Sequence, residues 1–296
     1  MEDLSKLDPA SPLVRAIRDY DEHFVGRWTR AFDEFRASAG EDRMWLVGPT
    51  SYLFSIAGQK IAVDPQIRRE VDLAAVSARL VEDFSCVSAV LITHQHDDHM
   101  CIPLMRALKD TSIRWYLPYG CRADLVEKSE IKAENIVWVH DGDEFVFGDL
   151  TVRAFDTPHV PAGEDMASFV ERGYELIAEN GRVLMPADVR NYDYDAYPDF
   201  GNVDLCLSHL WAGNDTLNPE HYLPMLEKFA AFSAKFQAKQ YFLCHLYEIG
   251  RKEIHMWRDE HAEIAIRMLT ERLPACRVGV PRIGESYALF EERKEL

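Results

Sequence analysis

A histidine-rich segment directly after an apolar run is the feature that most constrains this chain. The β-prone run VSAVLIT (87–93) leads into His94-Gln95-His96-Asp97-Asp98-His99. Side chains at i and i+2 of an extended segment point the same way, so His94 and His96 can reach one metal ion together. The following run LMRALK predicts a helix, and the turn into it directs Asp98 and His99 towards a second ion. A solvated loop that is rich in histidine by chance is the alternative, which three histidines and two aspartates within six residues disfavour.

The pattern H-x-H-x-D-H resembles the signature of the metallo-β-lactamase superfamily, and the resemblance covers about residues 43–290. That superfamily carries five landmarks in a fixed order, each following a strand, and every landmark has a candidate here. Taken singly, the aspartates would be read as turn or capping residues and the later histidines as structural ones; only their joint order favours ligand roles. The candidates are Asp64 in KIAVDP, the signature itself, His159 in FDTPHVPAG, Asp188 in RVLMPADVR and His245 in QYFLCHLYE.

The resemblance implies a dinuclear metal centre with Asp98 and Asp188 at its catalytic core. His94, His96 and His159 would hold the first ion. Asp98, His99 and His245 would hold the second, Asp188 would be shared, and Asp64 would orient the ligand loop by hydrogen bonds. Such ligands accept zinc or manganese, with iron as a further option. Two ions lower the pKa of a bridging water, and Asp98 would orient that nucleophile or relay its proton.

The order of predicted elements favours an α+β fold with two sheets between helices. Residues 12–36 carry apolar side chains at helical spacing behind Ser11-Pro12, so we expect an N-terminal helical extension over 1–40 and a catalytic domain over 41–296. Short strands dominate from residue 43, with helices expected near 70–82, 219–237 and 254–272. The resemblance implies the four-layer αββα sandwich of the metallo-β-lactamase fold.

The substrate is the point at which the residues leave alternatives open. The stretch MWLVGPTSYLFSIAGQKIAVDP resembles the branch that includes L-ascorbate-6-phosphate lactonase. The chain departs from the pattern of that branch at two points. Gly48-Pro49-Thr50-Ser51 stands where a histidine is common, and Ala187 replaces the usual glycine before the bridging aspartate. We expect a hydrolase of small polar lactones or esters, with phosphorylated ones included. The alternatives are a phosphodiesterase acting on small nucleotides and a metal-holding protein without catalysis. Candidate substrate contacts beyond the ligands are Arg190, His209, Trp211, Tyr247 and Arg251.

The signature also separates hydrolysis from redox chemistry. In the family that the chain resembles, the pattern H-x-E-x-D-H indicates a diiron redox centre. This chain has His96 at the middle position instead of glutamate. The residue therefore favours hydrolysis over the reduction of oxygen or nitric oxide.

Composition limits the partners. Fifty acidic residues against 33 basic ones give a formal charge of −17, which disfavours long nucleic acids and anionic membranes but not a small anionic substrate. Six scattered cysteines without a CxxC predict reduced thiols. The first residues lack a signal-peptide pattern, and no apolar run approaches the ~20 residues of a membrane span, so we expect a cytoplasmic enzyme with a small-molecule substrate. The N-terminal extension leaves a homo-oligomer open.

Overall fold

The computed structural model of the chain describes residues 8–67, 69–159, 170–190, 192, 197–248 and 250–290. Over these residues it contains helices and strands in an alternating order that begins with one long helix. The helices are α1 (Pro12–Ala37), α2 (Glu70–Val76), α3 (Leu80–Asp83), α4 (Ile102–Ala107), α5 (Ala123–Ser129), α6 (Pro219–Ala234) and α7 (Asp259–Arg272). The strands are β1 (Arg43–Gly48), β2 (Ser51–Ile56), β3 (Gln59–Val63), β4 (Ala89–Leu91), β5 (Arg114–Pro118), β6 (Ile136–Val139), β7 (Glu144–Phe147), β8 (Leu150–Asp156), β9 (Arg172–Ala178), β10 (Gly181–Met185), β11 (Leu205–His209), β12 (Gln240–Cys244), β13 (Arg277–Gly279) and β14 (Ser286–Ala288).

The strands form two seven-stranded mixed sheets. The first has the order β14-β1-β2-β3-β4-β5-β6 and the second the order β13-β12-β11-β10-β9-β8-β7. Antiparallel hairpins begin each sheet, and parallel pairs follow: β3 with β4 in the first sheet, and β10 with β11 and β11 with β12 in the second. This arrangement brings the carboxyl ends of the parallel strands to one edge of each sheet.

Three apolar layers separate the two sheets and their helices, as strand alternation requires. In β1, Met44 faces the layer between the sheets, while Trp45 faces the helices on the outer side of the first sheet. In β11, Leu207 faces the inter-sheet layer and Cys206 faces α6 and α7. The order helix, sheet, sheet, helix confirms the predicted four-layer αββα sandwich.

Helix α1 covers part of the outer face of the first sheet. The side chain of Ser11 accepts a hydrogen bond from the backbone N–H of Val14, and Pro12 occupies the first turn, as predicted. The aromatic stripe of the helix packs in the core: Trp28 lies 4.5 Å from Phe32 and 6.4 Å from Phe84, between ring centroids. The described part of the N-terminal segment therefore belongs to the packed layers, and the domain boundary at residue 40 stays a prediction.

Two predicted helices differ in detail from those observed. The helix expected near 70–82 is divided into α2 and α3 around Ser77, whose hydroxyl donates to the carbonyl of Ala74. The helix expected from 254 begins at Asp259, because Met256 and Trp257 are extended into the core ahead of it.

All six cysteines are free, as expected. No helix in the described ranges combines the length and the apolar character needed to cross a membrane.

Candidate metal centre

The candidate ligands meet at one edge of the sandwich because each follows a strand that ends there. The signature follows β4 and the turn Ile92-Thr93, and the hydroxyl of Tyr174 on the second sheet donates to the carbonyl of Ile92. Strand β8 is antiparallel to β9, and β9 to β10, so the end of β8 and the end of β10 lie at the same edge. The other candidate site residues follow the same rule: the orienting residue Asp64 comes after β3, and the ligand candidates His159, Asp188 and His245 come after β8, β10 and β12.

The first group of ligands is His94, His96 and His159. One nitrogen from each ring lies within 4.8 Å of the others. The Nε2 of His94 is 3.0 Å from the Nδ1 of His96, and the ring centroids of His94 and His159 are 4.6 Å apart. Three imidazoles converging in this way fit one metal ion.

The second group is Asp98, His99, Asp188 and His245, again with one ligand atom each within 4.8 Å of the others. Asp188 holds this group together: its carboxylate is 3.4 Å from the Nε2 of His99 and 3.2 Å from the Nδ1 of His245. The two groups are adjacent, since the rings of His94 and His99 are 4.0 Å apart. All seven predicted ligands therefore lie in one cluster.

Asp64 contacts the ligand loop in the manner expected of an orienting residue. One carboxylate oxygen accepts from the Nδ1 of His99 at 2.7 Å and from the hydroxyl of Thr93 at 2.6 Å. The other accepts from the backbone N–H of Thr93 at 2.8 Å. The hydrogen bond to Nδ1 fixes the tautomer of His99 and leaves its Nε2 facing Asp188.

His209 contacts a predicted ligand through one nitrogen and the core through the other. Its Nδ1 donates to Asp188 at 2.7 Å, and its Nε2 accepts from the hydroxyl of Tyr52 at 2.7 Å. Burial lowers the pKa of His209, even though Asp188 favours the charged form. The imidazole of His209 is therefore neutral and only 5% exposed, and both of its nitrogens have partners. It orients Asp188.

The other predicted substrate contacts lie around the same edge. Arg190 is close enough to His96 to disfavour its protonation, and the buried Nε of Arg190 has no hydrogen-bond partner among the described residues. Trp211 is half-buried, and its backbone contacts the hydroxyl of Tyr192. The Tyr247 hydroxyl accepts from the backbone N–H of Asp259 instead of facing the ligands.

Three acidic or basic side chains complete the surroundings of the ligands, and the sequence pattern identifies only one of them as a candidate. Glu171 contacts the first group, at 3.1 Å from the Nδ1 of His94. Glu248 lies 3.2 Å from the Nε2 of His245 and pairs with Arg251. The guanidinium of Arg251 also lies 3.3 Å from Asp98 and stacks on Trp257. Glu171 and Glu248 lie outside the signature. The only sequence feature that could have identified them is an acidic residue close to a strand or to a candidate ligand.

The pKa shifts differ between the two groups. Burial lowers the pKa of His94 to about 3 and that of His96 to about 4, so both rings are neutral at physiological pH. Burial also lowers the pKa of His245, but Asp188 outweighs it and raises the value to about 10. Asp188 and Asp64 likewise raise the pKa of His99 well above its usual value. The carboxylate-rich second group therefore favours positive charge, as a cation-binding site requires.

The charge of the buried groups fits two divalent ions. Five carboxylates at the site are buried, and one guanidinium, that of Arg251, pairs with members of the set. With neutral histidines these six side chains carry a net charge of −4, which is costly in a buried site unless cations compensate it. The Nε2 of His99 and the Nδ1 of His245 are buried and have no hydrogen-bond partner within the described chain. The carboxylates are those of Asp64, Asp98, Glu171, Asp188 and Glu248.

Several site residues have left-handed backbone conformations, which non-glycine residues seldom adopt. Asp64 has a φ of 45° and His245 a φ of 69°. Ala187, at the position where glycine is expected from the resemblance, has a φ of 63°, a conformation that glycine adopts without strain. Such strain is found where a fold fixes functional side chains.

The comparisons with known proteins agree with this geometry. The family model described as "Beta-lactamase superfamily domain" matches residues 60–246, more than half of the chain. No curated protein matches the chain significantly.

Three solved structures illustrate the similarity in fold. An isothiocyanate hydrolase from Delia radicum gut bacteria is 19% identical, with 84% of this chain and all of that chain covered and a TM-score of 0.59. The metallo-β-lactamase fold protein YhfI from Bacillus subtilis is 15% identical, with coverage of 83% and 99% and a TM-score of 0.56. CmlA, a diiron β-hydroxylase from Streptomyces venezuelae, is 13% identical with a TM-score of 0.58; the match covers 85% of this chain but only 55% of CmlA. At these identities the similarity concerns the fold. Together with the family match, it shows that the chain belongs to the β-lactamase superfamily and has the metallo-β-lactamase fold.

Proposed function

We propose that this protein is a metal-dependent hydrolase that acts on a small polar lactone or ester, with phosphorylated substrates included. The observation that carries the proposal is the pairing of two complete ligand groups, one of three histidines and one of two histidines and two aspartates. When bound, two divalent ions supply a water of lowered pKa and Lewis-acid polarisation of the attacked group. Zinc and manganese suit these ligands, and iron is the further candidate.

The side chains of the protein contribute orientation and proton transfer. Asp98 is held by Arg251 through its side chain and by Thr50, whose hydroxyl donates to the Asp98 carbonyl at 2.8 Å. A carboxylate fixed in this way can orient the attacking water and relay its proton. Asp188 is fixed by His209, so the ligand shared by the two groups does not need to reorganise during the reaction.

The surroundings favour a substrate that carries an anionic group. Arg190 lies beside the first group, and its buried Nε has no hydrogen-bond partner among the described residues. Guanidinium groups bind carboxylates and phosphates through paired hydrogen bonds. This supports sugar-acid lactones or phosphorylated esters over neutral substrates. A phosphodiesterase acting on small nucleotides is the alternative, because dinuclear centres also stabilise phosphoryl transfer.

The test is hydrolysis by protein loaded separately with zinc, manganese and iron. The panel contains neutral and anionic lactones, carboxylic esters and an activated phosphodiester, and His94→Ala is the blank. We expect metal-dependent cleavage of lactones or esters, faster for anionic members, and loss of activity in the blank. Cleavage of the phosphodiester alone would replace this proposal with the alternative, and absence of metal-dependent cleavage from the whole panel would contradict both.

A further inference from the structure

We infer that Glu171 is a positioning residue for the first metal: it sets the tautomers of two ligand histidines and fixes the backbone of the shared ligand Asp188. The inference rests on the proposed dinuclear centre but not on the identity of its substrate. Glu171 lies just before β9 and is not part of the signature or of the five landmarks.

Both carboxylate oxygens of Glu171 are engaged with the site. Its Oε1 lies 3.1 Å from the Nδ1 of His94 and accepts from the backbone N–H of Asp188 at 2.9 Å. Its Oε2 lies 3.3 Å from the Nδ1 of His159 and accepts from the hydroxyl of Thr157 at 2.6 Å. The side chain is fully buried, so two hydrogen-bond donors and two imidazoles surround one carboxylate. The Nδ1 of His94 also lies 3.0 Å from the hydroxyl of Thr93.

These contacts determine which nitrogen of each ring is available to a metal. An ionised carboxylate only accepts hydrogen bonds, so the Nδ1 of His94 and that of His159 carry protons when they face Glu171. The Nε2 atoms remain as ligands, and the Nε2 of His94 is the nitrogen that faces His96. A metal-binding histidine whose other nitrogen donates to a carboxylate has its orientation and basicity set by that carboxylate.

Asp64 performs the matching role in the second group, where it accepts from the Nδ1 of His99. Each ligand group therefore has its own buried carboxylate behind the histidines. Glu171 differs in serving two rings at once and in bonding the backbone N–H of Asp188, directly after the left-handed residue Ala187. The first group and the shared ligand are thus fixed by one side chain.

The substitution that isolates this role is Glu171→Gln. Glutamine has almost the same size, but its amide presents one oxygen and one NH₂ group. The NH₂ group cannot accept from an Nδ1–H, so one of the two rings must change its tautomer or rotate. The matched control is Glu175→Gln: Glu175 is a buried glutamate in β9 that pairs with Arg153 and Arg182 instead of the ligands.

The measurement is the affinity of each metal site, by competition with a chelator, together with the absorption spectrum of the cobalt-loaded protein. For Glu171→Gln we expect about 10- to 100-fold weaker binding of the first ion, an altered cobalt spectrum and a smaller loss of affinity at the second site, which shares Asp188. Glu175→Gln should bind both ions as the wild type does. Unchanged affinities and spectrum in Glu171→Gln would overturn the inference.

A second measurement does not depend on the variant being folded. In the zinc-loaded wild type, ¹⁵N NMR of the imidazole rings should show His94 and His159 protonated at Nδ1. Protonation of either ring at Nε2 would overturn the inference. Neither experiment measures hydrolysis, so a chain that passes both but cleaves no substrate would refute the proposed function and leave the role of Glu171 intact.

Discussion

Asp188 is the residue at which most contacts of the site converge. His209 donates to its carboxylate at 2.7 Å, His245 lies at 3.2 Å, and its backbone N–H is bound by Glu171. Behind His209, the hydroxyl of Tyr52 extends the hydrogen-bonded chain into the layer between the sheets. The orientation of Asp188, the proposed shared ligand, therefore depends on residues outside the proposed ligand set.

Tyr52→Phe tests this chain of contacts. Removal of the hydroxyl leaves the buried Nε2 of His209 without its donor, which we expect to lower the free energy of unfolding by about 1–3 kcal/mol. Because the hydroxyl also orients His209, metal affinity should fall. Urea unfolding and metal titration provide the two readings.

The matched control is Tyr241→Phe. Tyr241 is equally buried, but its hydroxyl donates to Ser233 far from the ligands, so this variant should lose stability without losing metal affinity. Equal metal affinities in the two variants would show that Tyr52 stabilises the core without influencing Asp188.

At the scale of elements, α1 is held to the first sheet by an aromatic cluster. Trp28 is 2% exposed, and its indole N–H donates to Asp83 at 2.8 Å. Trp28→Ala should lower the free energy of unfolding by about 3–5 kcal/mol, since it removes a large buried side chain and leaves a cavity. Chemical denaturation measures the change.

Val25 on the same helix provides the control, because it is 45% exposed. Val25→Ala should change the free energy of unfolding by no more than about 0.5 kcal/mol. If Trp28→Ala cost as little, the packing of α1 would contribute nothing to the stability of the domain.

The first turn of α7 contains a pH-sensitive contact. The Nδ1 of His261 accepts from the backbone N–H of Arg258 at 3.1 Å, and its Nε2 donates to the carbonyl of Thr216 at 2.9 Å. Burial lowers the pKa of His261 below the ordinary value of 6.5, although the bond to Thr216 opposes the shift. A proton on Nδ1 would break the contact with Arg258.

The sign of the pH dependence follows from linkage. The unfolded chain binds the His261 proton first as the pH falls, so this residue's contribution to stability is complete above pH 6.5 and is lost below it. His261→Gln should flatten the decrease in stability between about pH 6.5 and 5. The control is His23→Gln, at an exposed histidine of α1. Identical slopes for wild type and His261→Gln would contradict the assignment.

At the scale of the whole molecule, the sequence predicts the layers and the clustering of the candidate ligands, because both leave local patterns. Apolar alternation indicates strands, and each ligand follows a strand, so the order of Asp64, the signature, His159, Asp188 and His245 already implies one edge. The end of the helix expected near 82 and the start of that expected at 254 depend on how Ser77 and Trp257 pack, which no periodicity records.

The surroundings of the ligands could not be predicted in the same way. Tyr52 and His209 are 157 residues apart and meet only because the two sheets face each other. Glu171 depends on the pairing of β9 with β8 and β10, which brings its carboxylate between two histidines from different strands. The pattern of residue types therefore predicts the candidate ligands more readily than it predicts the side chains that hold those ligands in place.

The central claim is that the protein holds two metal ions in adjacent sites that share Asp188. Its most direct test is the number of ions bound per chain, measured by elemental analysis after zinc or manganese loading and removal of excess metal, for the wild type, Asp188→Ala and Glu175→Ala. We expect two ions per chain in the wild type and in Glu175→Ala, and fewer than two in Asp188→Ala. Two tightly bound ions in Asp188→Ala, or none in the wild type, would contradict the claim.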